Sequence, residues 1–364
     1  MKLGIIGLPN VGKSTLFNAL TKGHAPASNY PFCTIDQNVG VALLPDERLD
    51  RLNQILQPPK LTPTHIEFVD IAGLVKGASQ GEGLGNQFLG HIRNVDAMAH
   101  VVRCFRDDNV AHVDGSIDPV RDISVVETEL MLADLEMVER RLSKVQKVRS
   151  AGSGETKKEL ALLETIGEAL SQGRPAESLT LDDEALELLG ETPLLTLKPQ
   201  FYVANIDESG IAEGNKFSRA VAEYAAARGR ETVNVSSKLE SELADLSPEE
   251  RGEFLNSYGI SESGLQKVIH AGYRLLDLIT FYTIAGENEV RAWTLKRGRK
   301  APAAAGKVHS DMEKGFIKAE VIAFDDLNAF GSEQAAREHG HWAVEGKEYV
   351  VQDGDILTIK FQAG

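Results

Sequence analysis

Gly7-Leu8-Pro9-Asn10-Val11-Gly12-Lys13-Ser14 follows directly on the apolar run Leu3 to Ile6 and carries the spacing G-x-x-x-x-G-K-[ST]. In that spacing the glycines let backbone N–H groups curl around a β-phosphate, the lysine reaches the β- and γ-oxygens, and the serine hydroxyl holds Mg²⁺ at a helix N-terminus. Lys13 and Ser14 are therefore expected to meet phosphate charge and metal, with Asn10, Val11, Gly12 and Thr15 against the phosphates. A nucleoside triphosphate is the expected ligand.

Outward from this loop, short β-like runs alternate with helical or glycine-rich segments at 2–6, 13–21, 66–69, 86–93 and 99–104, which reads as an α/β fold with a mostly parallel sheet. From about Val125 the period becomes helical, with Leu132, Leu135, Val138, Leu142 and Val145 three or four apart. A break at 150–154 precedes a second stripe, Leu160, Leu163, Ile166 and Leu170, so two antiparallel helices are expected. The α/β pattern resumes at 200–204 and 232–235, which makes 125–197 a helical insertion within a nucleotide-binding domain spanning 1–277. Strand-like segments at 280–284, 290–295, 316–322 and 355–361 then predict a separate small α+β domain over 278–364.

Composition narrows the class. With 364 residues, 42% hydrophobic and 26% charged, the chain has the make-up of a soluble globular protein able to bury more than one core. Two cysteines, Cys33 and Cys104, give no disulfide framework and suit a reducing cytoplasm. No stretch reaches the ~20 apolar residues that cross a bilayer, and no signal-peptide pattern precedes the first strand, so a cytoplasmic location without membrane contact is expected. A net charge of −15 argues against indiscriminate nucleic-acid binding, and no DNA partner is expected. Against that average, 291–318 holds eight basic residues and two acidic ones, a local +6. Phosphate contacts need Lys and Arg, so this stretch is the expected RNA-facing surface.

Elements downstream of the loop say which triphosphatase this is. Phe68-Val69-Asp70 ends an apolar strand and continues to Gly73, giving D-x-x-G at a strand end. Asp70 is placed to hold Mg²⁺ through water, and the Gly73 N–H to sense a γ-phosphate. Thr34, in the turn-prone segment 30–34, is placed to complete the magnesium shell. The glycines at 73, 77, 81, 83 and 85 suit a segment ordered by the γ-phosphate and released after hydrolysis.

Taken together, Gly7–Thr15, Asn29-Tyr-Pro-Phe-Cys-Thr34, Asp70-Ile-Ala-Gly-Leu-Val-Lys-Gly-Ala78 and Gly81-Glu-Gly-Leu-Gly-Asn86 resemble the YchF family, Obg-like P-loop NTPases of the translation-factor-related class. The similarity runs through the helical insertion to the end, where Glu289-Val-Arg-Ala-Trp293 and Gly306-Lys-Val-His309 resemble the family's TGS domain. The resemblance implies a ribosome-associated ATPase with a Ras-like nucleotide domain, a coiled-coil insertion and a C-terminal β-grasp TGS domain. Ribosome or ribosomal RNA would then meet the 291–318 stretch and the helical insertion.

Base choice and catalysis rest on what departs from the common pattern. Guanine-specific members of the class carry N-K-x-D, whose aspartate accepts from two guanine N–H groups; here the strand 201–204 leads into Asn205-Ile206-Asp207-Glu208. Asn205 is expected to face the purine N7, Ile206 to form an apolar wall, and Glu208, one methylene longer than aspartate, to spoil the bidentate geometry. A guanine site so altered loses ~1–3 kcal/mol per unpaired buried group, which moves preference toward ATP. Ser236, in the segment 236–238 that resembles the last base-contacting loop, joins the expected base set. Leu74 occupies the place where many Ras-like enzymes put a water-orienting glutamine, so hydrolysis is expected to be slow or to use another group. His112 is the first candidate, with Gln80 and Gln87 behind it. The resemblance adds Asn10 as a potassium ligand, since class members with asparagine there bind K⁺ in place of an arginine finger. Two other readings stay open: a nucleotide-gated binding module with incidental turnover, and a GTPase with a degenerate base motif.

Overall fold

Ala97–Arg103 and Gln200–Asn205 are buried along their whole lengths, as strands are when helices cover both faces of a parallel sheet. In the computed structural model, which describes residues 1–364 except 22–37, 72, 74–76, 78–83, 108, 111, 113–114, 149–153, 191, 286–288 and 363–364, they lie at the centre of a six-stranded sheet. Its strands are β1 (Lys2–Ile6), β2 (Val39–Leu43), β4 (His65–Asp70), β5 (Ala97–Arg103), β6 (Gln200–Asn205) and β7 (Thr232–Val235), in the order β2-β4-β1-β5-β6-β7. The β1/β4, β1/β5, β5/β6 and β6/β7 pairings are all parallel. The C-terminal ends of β1, β4, β5 and β6 thereby open on one edge of the sheet, where α/β proteins place their ligands.

A second sheet runs β11-β10-β12-β8-β9-β3, built from β3 (Lys60–Thr62), β8 (Leu278–Ala285), β9 (Glu289–Lys296), β10 (Phe316–Ala323), β11 (Ala343–Glu345) and β12 (Asp355–Phe361). The β8–β9 and β10–β12 pairs are antiparallel, β12 runs parallel to β8, and helix Ala301–Val308 packs Ala301, Ala304 and Ala305 against Ile279, Phe281 and Leu295. This is the β-grasp arrangement.

Chain contacts divide the molecule into Met1–Gly40 with Glu67–Ala271, and Val41–Ile66 with Gly272–Gly364. The sequence pattern had placed the second region at 278–364 alone; the structure adds Val41–Ile66 to it, for identifiable reasons. Leu49 and Leu52, on helix Glu47–Leu56, are buried with Tyr282, Val290, Ile322 and Ile356. Strand β3 extends the second sheet through β9, pairing Leu61 with Val290, and the Tyr282 hydroxyl donates to Asp46 Oδ2 at 2.5 Å. None of these partners is near in sequence.

The helical insertion consists of Pro119–Val148 and Gly154–Ser171, starting earlier than the period suggested. Leu132 is 36% exposed, so the inward stripe is Met131, Leu135, Val138, Leu142 and Val145 against Leu163, Ile166 and Leu170. One buried carboxylate fixes the hairpin's base: Asp134 accepts from Leu195 N (2.7 Å), Thr196 N (2.8 Å) and the Thr196 hydroxyl (2.7 Å), although burial raises its pKa. Among the described residues no helix is long and apolar enough to cross a membrane.

Candidate functional site

The phosphate loop leaves β1 through two positions that only glycine fits. Gly7 has φ +145° and a Cβ there would lie 2.4 Å from the Val101 carbonyl oxygen; Gly12 has φ +98° and its Cβ would meet Asn205 Nδ2 at 2.2 Å. Asn10, between them, takes a left-handed φ of 61°, which asparagine tolerates better than most residues. Helix Lys13–Thr21 then starts at the loop's end, directing its N-terminal dipole and unpaired N–H groups toward the same space.

Lys13 is only 7% exposed, and its Nζ donates to the Leu8 carbonyl at 2.7 Å. Burial lowers its pKa to about 8, against the opposing pull of the Asp70 carboxylate. Gly73 closes over it: a Cβ on Gly73 would come within 3.1 Å of both Lys13 Nζ and Pro9 N. The Ser14 hydroxyl donates to Asp70 Oδ2 at 3.1 Å, while Asp70 Oδ1 is buried without a hydrogen-bond partner. A buried carboxylate oxygen left over beside a serine hydroxyl fits a hard, oxygen-seeking divalent cation, so Ser14 directly and Asp70 through water are the residues that would hold Mg²⁺. When bound, the cation would neutralise phosphate charge. Thr34, Leu74 and Gln80 lie outside the described residues, as does the side chain of Gln87. The Gly77 N–H donates to Glu129 Oε1 at 2.6 Å, which ties Gly77 to helix Pro119–Val148.

Beside this cluster is a cavity of about 850 Å³, lined by the loop residues Asn10, Gly12 and Thr15 and by residues of three further stretches: Phe105, Arg106, Asp107 and Val110; 205–209; and 236–238 with Ser241 and Glu242. That volume suits a nucleoside-sized ligand. Asn205, 4% exposed, holds two of the walls together: its Nδ2 donates to the Val11 carbonyl at 2.8 Å and its Oδ1 accepts from Ser237 N at 3.0 Å. The side chain expected to face the purine thus ties the phosphate loop to the segment 236–238 with its Oδ1 and one of its two Nδ2 hydrogens. Ile206, 2% exposed, is an apolar wall whose other contacts are with Val102, Cys104 and Val221 in the core. Glu208 pairs with Lys238 Nζ at 3.0 Å, an exposed pair of little energetic weight that nonetheless engages the carboxylate. Ser236 caps helix Ser237–Leu243, accepting from Leu239 N; the hydroxyl of its neighbour Ser237 is buried without a partner.

Sequence reasoning missed the wall formed by Phe105, Arg106, Asp107 and Val110 and what shapes it. Arg103, 3% exposed at the end of β5, donates to three main-chain carbonyls, those of Phe105 (3.3 Å), Asp107 (3.1 Å) and Val110 (2.9 Å). Its signal was an arginine closing a strand whose other residues, His100 apart, are apolar. His112 follows this wall but does not line the cavity: its Nε2 is 2.8 Å from Asp122 Oδ2, both side chains nearly buried at the start of helix Pro119–Val148.

A phosphate loop after β1, a buried lysine, an acid at the end of β4 and a nucleoside-sized cavity at the sheet's C-terminal edge define a P-loop nucleoside triphosphatase. Comparison with known proteins agrees. The family model described as "50S ribosome-binding GTPase" matches residues 2–134, and the YchF-GTPase_C model, described as "Protein of unknown function (DUF933)", matches 278–362. Proteins named ribosome-binding ATPase YchF from Bacillus subtilis and Haemophilus influenzae are 51% and 52% identical over 360 residues, covering 98% and 99% of this chain and the same shares of their own. The solved structure of the Schizosaccharomyces pombe YchF GTPase, 39% identical, superposes with a TM-score of 0.88 over 99% of this chain and 97% of its own. A GTP binding protein from Pyrococcus horikoshii, 22% identical with a TM-score of 0.61 and full coverage of both chains, shares the fold. The chain belongs to the YchF family.

Proposed function

We propose that the protein is a Mg²⁺-dependent ATPase that prefers ATP to GTP, turns over slowly, and couples its nucleotide state to association with the ribosome in the cytoplasm, as a regulator of translation. The observation that carries the base preference is the segment Asn205–Glu208. With lysine replaced by Ile206 and the acid lengthened to Glu208, whose carboxylate pairs with Lys238, the position of the guanine-reading aspartate is held by a glutamate engaged elsewhere. The buried amide of Asn205 braces the two loops through its Oδ1 and one Nδ2 hydrogen, and its second Nδ2 hydrogen is the donor to a purine N7. Lys13 would stabilise the β/γ-phosphate oxygens, Ser14 and Thr34 are the residues that would hold Mg²⁺ with Asp70 behind a water, and the Gly73 N–H would sense the γ-phosphate. Leu74 cannot orient water. Turnover then falls to His112, which Asp122 holds at 2.8 Å, with Asn10 as the residue that would hold K⁺.

For the partner, the names of the relatives supply "ribosome-binding", and the stretch 291–318 in the region resembling a TGS domain supplies a surface. Lys296, Arg299, Lys307, Lys314 and Lys318 are exposed, and the Arg291 guanidinium lies 4.1 Å over the Trp293 ring, an arrangement that suits backbone phosphate and an unstacked base. Arg297 and Lys300 are partly offset by Asp277 and Glu348. The test is ATP turnover by the full chain with and without saturating ribosomes, with ribosomes expected to raise it. Turnover indifferent to ribosomes, with ATP binding alone altering ribosome affinity, would favour the gated binding module that Leu74 suggests.

A further inference from the structure

The carboxylate beside His112 is organised more tightly than a surface ion pair needs. His112 Nε2 lies 2.8 Å from Asp122 Oδ2, with the two side chains 8% and 3% exposed. The other carboxylate oxygen, Asp122 Oδ1, accepts from Arg121 Nη2 at 3.1 Å and Nε at 3.4 Å. Arg121 is anchored in turn, donating from Nη1 to the Ser116 hydroxyl at 3.0 Å and from Nη2 to the Ser116 carbonyl at 2.6 Å. Asp122 stands in the first turn of helix Pro119–Val148, where the helix dipole favours negative charge. The His112 carbonyl accepts from Gly115 N at 3.2 Å, so the main chain of the histidine is tied down as well as its ring.

Resting on the reading of His112 as the group that takes over where Leu74 cannot act, we propose that Asp122 is a positioning residue for hydrolysis, because it fixes the tautomer of His112. An ionised carboxylate only accepts, so Nε2 carries the hydrogen and donates to Asp122. In the neutral ring Nδ1 is then the acceptor nitrogen, and the lone pair that orients an attacking water is the one on Nδ1. Arg121 makes the arrangement sensitive to a change of one atom. In Asp122→Asn the single amide oxygen goes to the Arg121 guanidinium and the amide N–H₂ faces Nε2, which must then accept, moving the ring hydrogen to Nδ1. The substitution keeps the shape of the site and inverts the histidine.

The test on the full chain pairs single-turnover ATP hydrolysis and equilibrium ATP binding with ¹⁵N NMR of the imidazole nitrogens, in the unaltered protein, Asp122→Asn, His112→Ala and the double variant. Of the nine histidines, the one whose signals vanish in His112→Ala is the one read. Expected are a protonated Nε2 in the unaltered chain and a protonated Nδ1 in Asp122→Asn, with turnover slowed ~10–100-fold at unchanged ATP affinity, and no further loss when Asp122→Asn is added to His112→Ala. A protonated Nδ1 in the unaltered chain would overturn the proposal whatever the variants do. So would normal or raised turnover in Asp122→Asn beside slow turnover in His112→Ala, or a loss from Asp122→Asn as large without His112 as with it; the catalytic reading of His112 survives each of these. Unchanged turnover in His112→Ala would overturn that reading and the proposal with it.

Discussion

The two ends of the nucleotide site are built on different principles. The phosphate end is made of backbone: Gly7, Gly12 and the start of helix Lys13–Thr21 present N–H groups, and one lysine and one acid do the rest. The base end is made of side chains from three stretches far apart in the chain, those of Phe105, Asn205 and Ser236, held in place by the buried amide of Asn205 and the guanidinium of Arg103. Charge stabilisation is thus concentrated in a few contiguous residues, whereas base choice is distributed. The phosphate end should lose function in large steps, and the base end should drift.

That contrast is broken or sharpened by three substitutions, in descending order of effect. Lys13→Ala is expected to cut ATP turnover by ~100-fold or more, since it removes a buried cation aimed at the charge that develops on the phosphate. In the unaltered chain, burial holds Lys13 near pKa 8, so its neutral form is favoured as pH rises through that value and phosphate pulls the other way. ATP affinity should accordingly weaken between pH 7 and 9.5, and Lys13→Ala should flatten that dependence; a titration of Kd against pH for both chains checks it. His112→Ala should lower turnover ~10–100-fold with ATP affinity unchanged, measured by single-turnover hydrolysis beside equilibrium binding. Its pairing with Asp122 makes it a test from outside both ends, and unchanged turnover would remove it from the mechanism. Asn205→Ala strands the Val11 carbonyl and the Ser237 N–H, and should weaken ATP and GTP together by ~10-fold or somewhat more, because both the brace and a donor to N7, which the two purines share, are lost. A loss confined to one nucleotide would contradict that account.

Legibility in the sequence follows the same division. A glycine-lysine-serine spacing after an apolar run is a backbone demand, and the structure meets it at Gly7 and Gly12 with conformations other residues adopt poorly. Helical periodicity located the insertion but misassigned Leu132, because a stripe three or four apart shifts by one residue at little cost until the partner helix is known. Nothing local marks Val41–Ile66 as belonging with the C-terminal unit: Leu49, Leu52 and the β3 strand find their partners more than two hundred residues away, at Tyr282 and Val290. The strand β5 hid two polar residues. Arg103 organises the cavity wall, and His100, 1% exposed with its ring tilted 46° against Tyr202 at a centroid distance of 5.6 Å, is held neutral by burial with its pKa lowered to about 4. In both cases the function of a side chain is set by what folds onto it, and a single strand in a sequence does not carry that information. Ser236 and Ser237 differ likewise only in three dimensions, one hydroxyl spent on a helix cap and the other buried without a partner.

Competition between ATP and GTP for the purified full chain tests the base-end account most directly. With Ile206 in place of lysine and Glu208 in place of aspartate, ATP is expected to bind more tightly than GTP, so that excess GTP is needed to displace it. A strong preference for GTP would contradict the account, and would mean that the segment Asn205–Glu208 reads guanine despite its altered side chains.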